Sequence, residues 1–441
     1  MKLKPAALAL LCAVSSSSFA AANGPKDVDI VKTDGVYQLL VDGEHYSVKG
    51  VGFGGANLDL LPLLTQIGGN SIRTWSTNNA DKILARAAEL DIMVALGFDT
   101  QKELHGFDYN DEEAVAAQFE RFKAVVQRYK DHPNLLAWVV ANEPNLLFDE
   151  DGSTKAVNPK VYQAINEMIE YVHREDPNHP VTYSFAGASK AQIDTALQYT
   201  PEVDFISVQL YADVANLPHI IQQLEVDKPF MVTEYGAIGH WERPTTEWGR
   251  EIEEPSGVKA QSFARRMQSA FDGNPTGKVI GGYAFLWGQK QERTPTWYGM
   301  FNPDGSANAR VDELAHYWTG TYPDNRAPLV KSLYLNNQRP AQSVIVEPGQ
   351  TMTFTLDVSD PDGDPLEYQW EMLQEVAQRS QGGAHEIRPD AIAMDVLKKP
   401  EGQLIIRAPN AEGEYRMFAY VYDGKGKVGN ANFPFYVRLK K

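Results

Sequence analysis

Cysteine is almost absent from this sequence of 441 residues, which contains only Cys12. Two lysines precede an apolar run at positions 6–14, and small residues follow at 15–22. This charged start, short apolar stretch and small-residue cleavage region predict a signal peptide over residues 1–22. Without it the chain carries no thiol, which excludes disulfides, cysteine-ligated metals and cysteine nucleophiles. We expect a secreted or periplasmic protein of bacterial type.

Long hydrophobic runs and positive charge are also scarce. No segment after residue 22 reaches the roughly 18 continuous apolar residues that a transmembrane helix needs, so no membrane anchor is expected. The 41 basic residues are outnumbered by 58 acidic ones, for a formal net charge of −17. Such a surface repels phosphate backbones, which makes nucleic acid a poor partner. The length predicts two or three domains.

Strand-like apolar runs alternate with helical patterns over residues 48–287. The helical spacing of apolar side chains is clearest at 112–130 and 159–175. Eight apolar runs separated by helices predict an α/β fold, a (β/α)8 TIM barrel, rather than an open sheet. The eight runs are 48–53, 71–75, 92–96, 135–140, 181–185, 205–210, 230–233 and 280–287.

The pattern changes near Asn325, where helical periodicity ends and alternating runs with prolines begin. Alternation of this kind, as at 351–358 and 415–422, predicts an all-β Ig-like sandwich. We therefore expect a barrel domain with a β-hairpin lead-in at 23–325 and a sandwich at 326–441. Because every candidate catalytic residue precedes the break, a chain that ends there is expected to keep its activity.

Two of the predicted strands end in a carboxylate. In the segment HPNLLAWVVANEP an apolar strand stops at Asn142 and Glu143, and in KPFMVTEYG another stops at Glu234. The carboxyl ends of barrel strands open onto one face, where the active sites of such barrels lie. Counted along the chain, these strands are the fourth and the seventh. Their carboxylates are therefore expected to face one pocket.

Two carboxylates across one pocket are what cleavage of a glycosidic bond requires. One carboxyl group lends a proton to the leaving oxygen, while the other meets the developing oxocarbenium ion. Their pKa values must differ for this to work near neutral pH. Arg73, at the end of the second predicted strand, is a cation that can keep Glu234 ionised. Asn142 can donate a hydrogen bond to a sugar hydroxyl.

These segments resemble the acid/base and nucleophile motifs of clan A glycoside hydrolases, and they are most similar to the catalytic barrel of family two. The resemblance extends over roughly residues 48–318. It implies that Glu143 is the acid/base and Glu234 the nucleophile. It also implies pocket roles for three further residues, which are Arg73 on strand two, Tyr211 after strand six and Trp287 on strand eight.

Each candidate also has a purely structural interpretation. A single glutamate at a strand end is more often a solvated loop residue or half of a salt bridge, and Arg73 can be such a partner. Trp287 and Tyr211 are either core residues or platforms for the apolar face of a sugar. For the two glutamates, the order and the context of both motifs favour the catalytic interpretation.

Two long loops, at 238–255 and 288–301, follow the seventh and eighth strands and carry several aromatic residues. Trp241 and Trp248, in the first of them, are predicted to line a substrate-binding cleft. Several rings on one face suit a chain of sugars, and glucose rings present the flattest apolar faces. This favours a β-glucan as the substrate.

Other chemistries find little support. The sequence has neither a GxSxG elbow nor an HExxH helix, which argues against serine esterases and zinc proteases of those types. The tail segment that contains Asp360, Asp362 and Asp364 resembles PKD- or cadherin-like modules, and three alternating acids offer oxygen ligands to Ca²⁺. Acidic Asp-Gly turns without a metal are at least as common. No other cofactor is expected.

The sequence thus predicts a retaining β-glycoside hydrolase whose partner is an oligosaccharide or polysaccharide. One alternative is a β-glucan transglycosylase that uses the same two glutamates, and in that case a sugar replaces water as the acceptor. The other is a non-catalytic glycan-binding barrel. The complete set of Glu143, Glu234, Asn142 and Arg73 argues against this last alternative, because drift would damage a carboxylate first.

Overall fold

The computed structural model describes residues 24–380 and 382–439, so the predicted signal peptide lies outside the described residues. The described chain forms a small amino-terminal sheet, a closed barrel and two further sheets. Among the described residues, no helix is both long enough and apolar enough to cross a bilayer. The amino-terminal sheet is antiparallel and consists of β1 (Val28–Thr33), β2 (Val36–Val41) and β3 (Glu44–His45).

Eight parallel strands follow and close into a barrel, in which each strand pairs with its neighbours along the chain and the last pairs with the first. A helix follows each strand, so the predicted (β/α)8 barrel is confirmed. The barrel strands are β4 (Gly50–Gly52), β5 (Ser71–Arg73), β6 (Met93–Gly97), β7 (Leu135–Asn142), β8 (Val181–Ala186), β9 (Ile206–Gln209), β10 (Phe230–Gly236) and β11 (Val279–Phe285).

The helices around the barrel bury one face, and three of them begin at a residue whose side chain caps the first turn. Asp111 accepts a hydrogen bond from the backbone of Ala114 at the start of the third helix, and Asn158 does the same for Lys160 at the start of the fourth. The helices are α1 (Leu61–Gln66), α2 (Ala80–Glu89), α3 (Glu112–Tyr129), α4 (Pro159–Glu175), α5 (Lys190–Tyr199), α6 (Leu217–Leu224), α7 (Ser256–Phe271) and α8 (Ala309–Thr319).

The amino-terminal sheet covers the end of the barrel at which the strands begin. Val28 and Leu39 from this sheet are buried together with Met93 and Met231, which lie at the starts of β6 and β10. Burial of these side chains fills the lower barrel with apolar atoms, which stabilises the fold. The opposite end, where the strands finish, remains available for a site.

An all-β sandwich follows the last helix, as predicted. Its strands are β12 (Leu329–Leu335), β13 (Ile345–Val346), β14 (Thr351–Ser359), β15 (Glu367–Gln374), β16 (Asp395–Lys398), β17 (Gln403–Arg407), β18 (Gly413–Tyr422) and β19 (Val428–Val437). One sheet has the strand order β12-β14-β17-β16 and the other β13-β19-β18-β15, and buried side chains from both sheets form one core.

The barrel and the sandwich share a buried polar interface centred on Glu253, which lies in the loop between β10 and α7. Its carboxylate accepts hydrogen bonds from Asn432 on β19 and from Thr294 in the loop after β11. Lys259 of α7 lies 2.6 Å from the same carboxylate, and both side chains are buried. The buried carboxylate of Glu253 therefore depends for its hydrogen bonds on a strand of the sandwich and on a second loop of the barrel.

The sandwich also approaches α7 through backbone atoms. Gly257 lies so close to the start of β12 that a side-chain carbon placed there would be 2.8 Å from the carbonyl oxygen of Val330. Asn430 of β19 donates its backbone N–H to Ser256. Contacts of this kind argue against the expectation that a chain ending near Asn325 keeps its activity, because truncation would expose the side of α7 that packs on β12 and β19.

Candidate active site

The two candidate carboxylates lie at the open end of the barrel. Glu143 directly follows β7, the fourth barrel strand, and Glu234 lies near the end of β10, the seventh. Glu143 has a φ of 52°, in the left-handed region that non-glycine residues rarely adopt, and its N–H donates to the carbonyl of Ser184 on β8. The backbone therefore turns at the residue that the sequence predicts to be the acid/base.

Glu234 is buried and accepts hydrogen bonds on both carboxylate oxygens. Arg73 and Trp75 donate to Oε1, with Nη1 of Arg73 at 2.6 Å, and the hydroxyl of Tyr211 donates to Oε2 at 2.8 Å. The guanidinium of Arg73 pairs with this carboxylate, and the three donors together fix its orientation.

Arg73 connects the two predicted catalytic strands. Besides Glu234 it donates to the amide oxygen of Asn142, which also accepts from Nε2 of Gln209 at 2.6 Å. Burial lowers the pKa of Arg73, and the neighbouring carboxylate of Glu234 opposes this. Because both donors use the oxygen of Asn142, its NH₂ group is the part left to donate to a sugar hydroxyl.

Glu143 has the electrostatic properties of a proton donor. Burial raises the pKa of Glu143 to about 7, while the ammonium of Lys102 lowers it and the charge of Glu234 raises it. Nζ of Lys102 lies 3.6 Å from the carboxylate of Glu143. A carboxyl group with a pKa of about 7 is partly protonated at neutral pH, so it can give up a proton and later take one back.

An aromatic cluster borders Glu234. Tyr211 makes edge-to-face contacts with Trp241 at 5.3 Å and with Tyr298 at 5.8 Å between ring centroids. Trp241 is 60% exposed, so its ring presents an open face beside the buried Tyr211. The structure therefore brings Tyr211 and Trp241 to the site, together with Arg73, Asn142 and both glutamates.

Two predicted substrate contacts are wrong. Trp287 is only 1% exposed, donates its indole N–H to the carbonyl of Leu60 and packs edge-to-face on Phe301. Its ring is a part of the barrel core, so it has no face to offer a sugar. Trp248 lies against Tyr436 of the sandwich, with ring centroids 5.8 Å apart, and so belongs to the interface between the domains.

Several residues of the site did not emerge as candidates from the sequence. Lys102 follows β6 and Lys290 follows β11, so each lies in a loop where periodicity carries no signal. Lys290 pairs with Glu292 at 2.7 Å, and His240 lies 3.5 Å from the same glutamate. These contacts connect the loops after β10 and β11 along the rim of the site.

The three aspartates of the sandwich lie together, away from the barrel site. Their carboxylate oxygens are within 4.8 Å of one another. Asp360 accepts hydrogen bonds from the backbone N–H groups of Asp362 and Asp364, and Lys425 pairs with Asp364. Oxygen donors suit Ca²⁺, while the hydrogen bonds account for the turn without an ion. Calcium binding by this cluster stays a prediction.

The closed (β/α)8 barrel carries a glutamate at the end of its fourth strand and another at the end of its seventh, an arrangement suited to the cleavage of glycosidic bonds. The family described as "Glycosyl hydrolases family 2, TIM barrel domain" matches residues 45–243. This match covers less than half of the chain, and it agrees with the resemblance to the family two barrel of clan A glycoside hydrolases that the sequence motifs predicted.

The chain is similar to "Probable mannan endo-1,4-beta-mannosidase C" of Aspergillus terreus. The two are 28% identical over 196 residues, which is 36% of this chain and 48% of the relative. It is also similar to "Beta-glucuronidase" of Paenibacillus borealis, with 26% identity over 266 residues, or 51% of this chain and 41% of the relative. The chain thus spans about half or less of the length of these relatives.

Solved structures show the same fold. Bacteroides uniformis beta-glucuronidase 2, covalently bound to cyclophellitol-6-carboxylate aziridine, superposes with a TM-score of 0.53 at 14% identity, covering 94% of this chain and 48% of that chain. Faecalibacterium prausnitzii beta-glucuronidase superposes with a TM-score of 0.52 at 19% identity, covering 68% and 52%. At these identities the likeness concerns the fold alone.

Proposed function

We propose that this protein is a retaining β-glycosidase that works by double displacement, with Glu234 as nucleophile and Glu143 as acid/base. One observation carries the proposal. The carboxylate of Glu234 pairs with Arg73 and accepts hydrogen bonds from Trp75 and Tyr211, whereas burial raises the pKa of Glu143 to about 7. The site therefore offers an oriented carboxylate for nucleophilic attack beside a carboxyl group that can donate a proton, which are the two roles in retention.

In the first step, an oxygen of Glu234 attacks the anomeric carbon and forms a glycosyl ester. The bond between that carbon and the glycosidic oxygen breaks, and Glu143 gives its proton to this oxygen, so the leaving group departs as a neutral alcohol. Arg73 and Tyr211 keep the attacking carboxylate oriented. The NH₂ group of Asn142 is the donor available to a hydroxyl of the sugar.

In the second step, Glu143 acts as a base. Esterification removes the negative charge of Glu234, and because that charge raises the pKa of Glu143, the pKa falls in the intermediate. The ionised Glu143 takes a proton from water as the water oxygen attacks the anomeric carbon. The ester bond breaks, and Glu234 is released as a carboxylate.

We propose a β-linked oligosaccharide or polysaccharide as the substrate, with β-glucans preferred. Support comes from the exposed ring of Trp241 beside Tyr211, because a flat apolar ring suits the face of an equatorially substituted sugar. The related proteins are named for mannan and for glucuronides, so β-mannans and β-glucuronides belong in the substrate panel. The amino-terminal pattern supports secretion or a periplasmic location.

The test is to trap the glycosyl-enzyme. A 2-deoxy-2-fluoro-β-glucoside with a dinitrophenyl leaving group should add one fluorosugar to the protein, and peptide mass spectrometry should place it on Glu234. The matched control is Glu234→Gln, which should not be labelled. Proton NMR during hydrolysis should show the β-anomer first. Labelling at another residue, or a first product of α configuration, would refute the assignment.

A further inference from the structure

One connection of the sandwich reaches the open end of the barrel. It joins β15 to β16, and its two described stretches, 376–380 and 382–390, are called the sandwich strap below. The strap is tied to two barrel loops. Arg250, after β10, donates to the carbonyl of Val376, and Arg293, after β11, donates to the carbonyl of Ser380 at 3.0 Å.

Glu386, which is part of the strap, binds it to the loop after β11 through hydrogen bonds. Its side chain is 3% exposed and accepts hydrogen bonds from the backbone N–H of Arg293 at 2.6 Å, from the guanidinium of Arg293 at 3.0 Å and from Gln291 at 3.0 Å. It also accepts from the backbone N–H of Ser380. A buried carboxylate with this many donors fixes its segment, because removing them would leave an unpaired charge.

The strap then passes the rim of the site at two glycines with positive φ. A side-chain carbon placed on Gly382 would lie 2.7 Å from a methyl carbon of Leu104 and 3.2 Å from one of Leu146. One placed on Gly383 would lie 3.5 Å from Nζ of Lys290. The strap backbone therefore touches the loops after β6, β7 and β11.

These three loops are the ones that surround Glu143. Leu146 is three residues after it, Leu104 is two residues after Lys102, and both Lys102 and Lys290 lower the pKa of Glu143 through their charge. No corresponding strap contact is made with Tyr211 or Trp241, on the side of Glu234, among the contacts of the described residues. The strap is thus placed on the side of the acid/base.

We propose that the sandwich strap forms the wall of the leaving-group subsite, so that the sandwich selects the sugar that departs or accepts. The inference rests on the proposed function. Glu143 must touch the glycosidic oxygen, so the departing sugar lies beside Glu143 and against the loops that the strap contacts. An acceptor in the second step occupies the same place. Water, when it is the acceptor, is too small to depend on contacts with the strap.

Reactivation of the trapped enzyme measures the reaction with a sugar acceptor separately from the reaction with water. Wild-type protein labelled with the fluoroglucoside is freed of excess reagent and incubated either in buffer or with increasing cellobiose, and recovery of activity on a dinitrophenyl glycoside is followed. The strap variant is Gly383→Asn, which adds a side chain next to Lys290. Asparagine tolerates a positive φ, so strain stays small. The matched control is Gly402→Asn, also at positive φ but in the sandwich, 3.9 Å from Tyr368.

For Gly383→Asn we expect cellobiose-driven reactivation to weaken roughly tenfold, while reactivation by water stays as in the wild type. Gly402→Asn should match the wild type in labelling and in both kinds of reactivation. A second variant, Glu386→Gln, which releases the strap from Arg293, should likewise change the dependence on cellobiose and not the reaction with water.

The outcomes separate the two hypotheses. Normal labelling of Glu234 with the same cellobiose dependence in every variant would overturn the role of the strap and leave the catalytic pair intact. Failure of the wild type to be labelled would overturn the proposed function and the strap assignment together. Equal changes in the strap variant and in Gly402→Asn would show a general effect of the sandwich and would also overturn the proposal.

Discussion

Arg73 and Glu234 form an ion pair in which Nη1 lies 2.6 Å from Oε1, and neither side chain is more than 8% exposed. The other terminal nitrogen of the same guanidinium donates to Asn142, so one rigid fork connects the fourth and seventh strands. A lysine cannot reproduce this geometry, because its ammonium is a single point of contact on a flexible chain. The guanidinium of Arg73 accordingly fixes the positions of the Glu234 carboxylate and the Asn142 amide.

Arg73→Lys should therefore lower kcat/KM by about 100-fold on an aryl β-glycoside. The charge is kept, but the simultaneous contact with Glu234 and Asn142 is lost. The control is Arg86→Lys, whose pair with Glu89 lies on the surface of α2 and should leave the rate unchanged. Wild-type activity in Arg73→Lys would show that the pair is only structural.

The two glutamates should respond differently to the leaving group. Glu234→Gln should abolish turnover of every substrate, because the nucleophile is removed. Glu143→Gln should keep more activity on dinitrophenyl glycosides, whose leaving groups need no proton, than on oligosaccharides. Azide should rescue Glu143→Ala and give a β-glycosyl azide, detectable by NMR. Equal losses on all leaving groups, with no azide product, would mean that the roles are misassigned.

The pH profile should report Glu143. Since the protonated acid is required and burial raises its pKa to about 7, kcat/KM on an oligosaccharide should fall as the pH rises through about 7. Lys102 lowers this pKa, so Lys102→Met should raise it and move the alkaline limb to higher pH. The control is Lys123→Met, whose charge lies on α3 beside Glu120. An unmoved limb in Lys102→Met would assign the limb to another group.

Two tryptophans of one loop should behave oppositely. Trp241→Ala should raise KM about three- to tenfold for longer gluco-oligosaccharides and little for disaccharides, because an exposed stacking ring is removed. Trp248→Ala should leave KM unchanged and lower the free energy of unfolding by roughly 1–3 kcal/mol, since it loses Tyr436. Equal effects of both substitutions on KM would contradict the assignment of Trp248 to the domain interface.

Removal of the sandwich should destabilise the barrel. A protein that ends at Asn325 loses Asn432, the partner of Glu253, and exposes the face of α7 that packs on β12. We expect it to be insoluble, or to unfold at a clearly lower temperature than the full chain, which should show one cooperative transition by calorimetry. A soluble truncated protein with full activity would instead support the expectation from the sequence that the barrel works without the sandwich.

Much of the barrel could be predicted because its signals are local. Helix α4 begins and ends where the apolar spacing does, and β7 extends two residues beyond the predicted run. Strands β13 and β16 escaped prediction for physical reasons. The first has two residues, and the second is exposed at all four positions, so neither shows an alternating pattern. Their places are set by pairing with other strands.

The residues of the site likewise divide into those that the sequence could predict and those that it could not. Glu143 and Glu234 could be predicted because an apolar strand that ends in a carboxylate is visible in a short stretch of sequence. Lys102 could not, because it reaches Glu143 only through the fold. Trp287 shows the opposite error. An aromatic residue near a strand end looks like a platform for a sugar, but whether its ring is exposed depends on Leu60 and Phe301, which are distant in the chain.

The carboxylate of Glu253 has a consequence for how such enzymes diversify. Its partners come from a helix and a loop of the barrel and from a strand of the sandwich, so recombination that exchanged the sandwich alone would leave a buried charge without Asn432. Exchange of the sandwich by recombination therefore destabilises the barrel, whereas exchange of a domain joined only by a flexible linker does not. In descendants of this gene, the two domains should be inherited together.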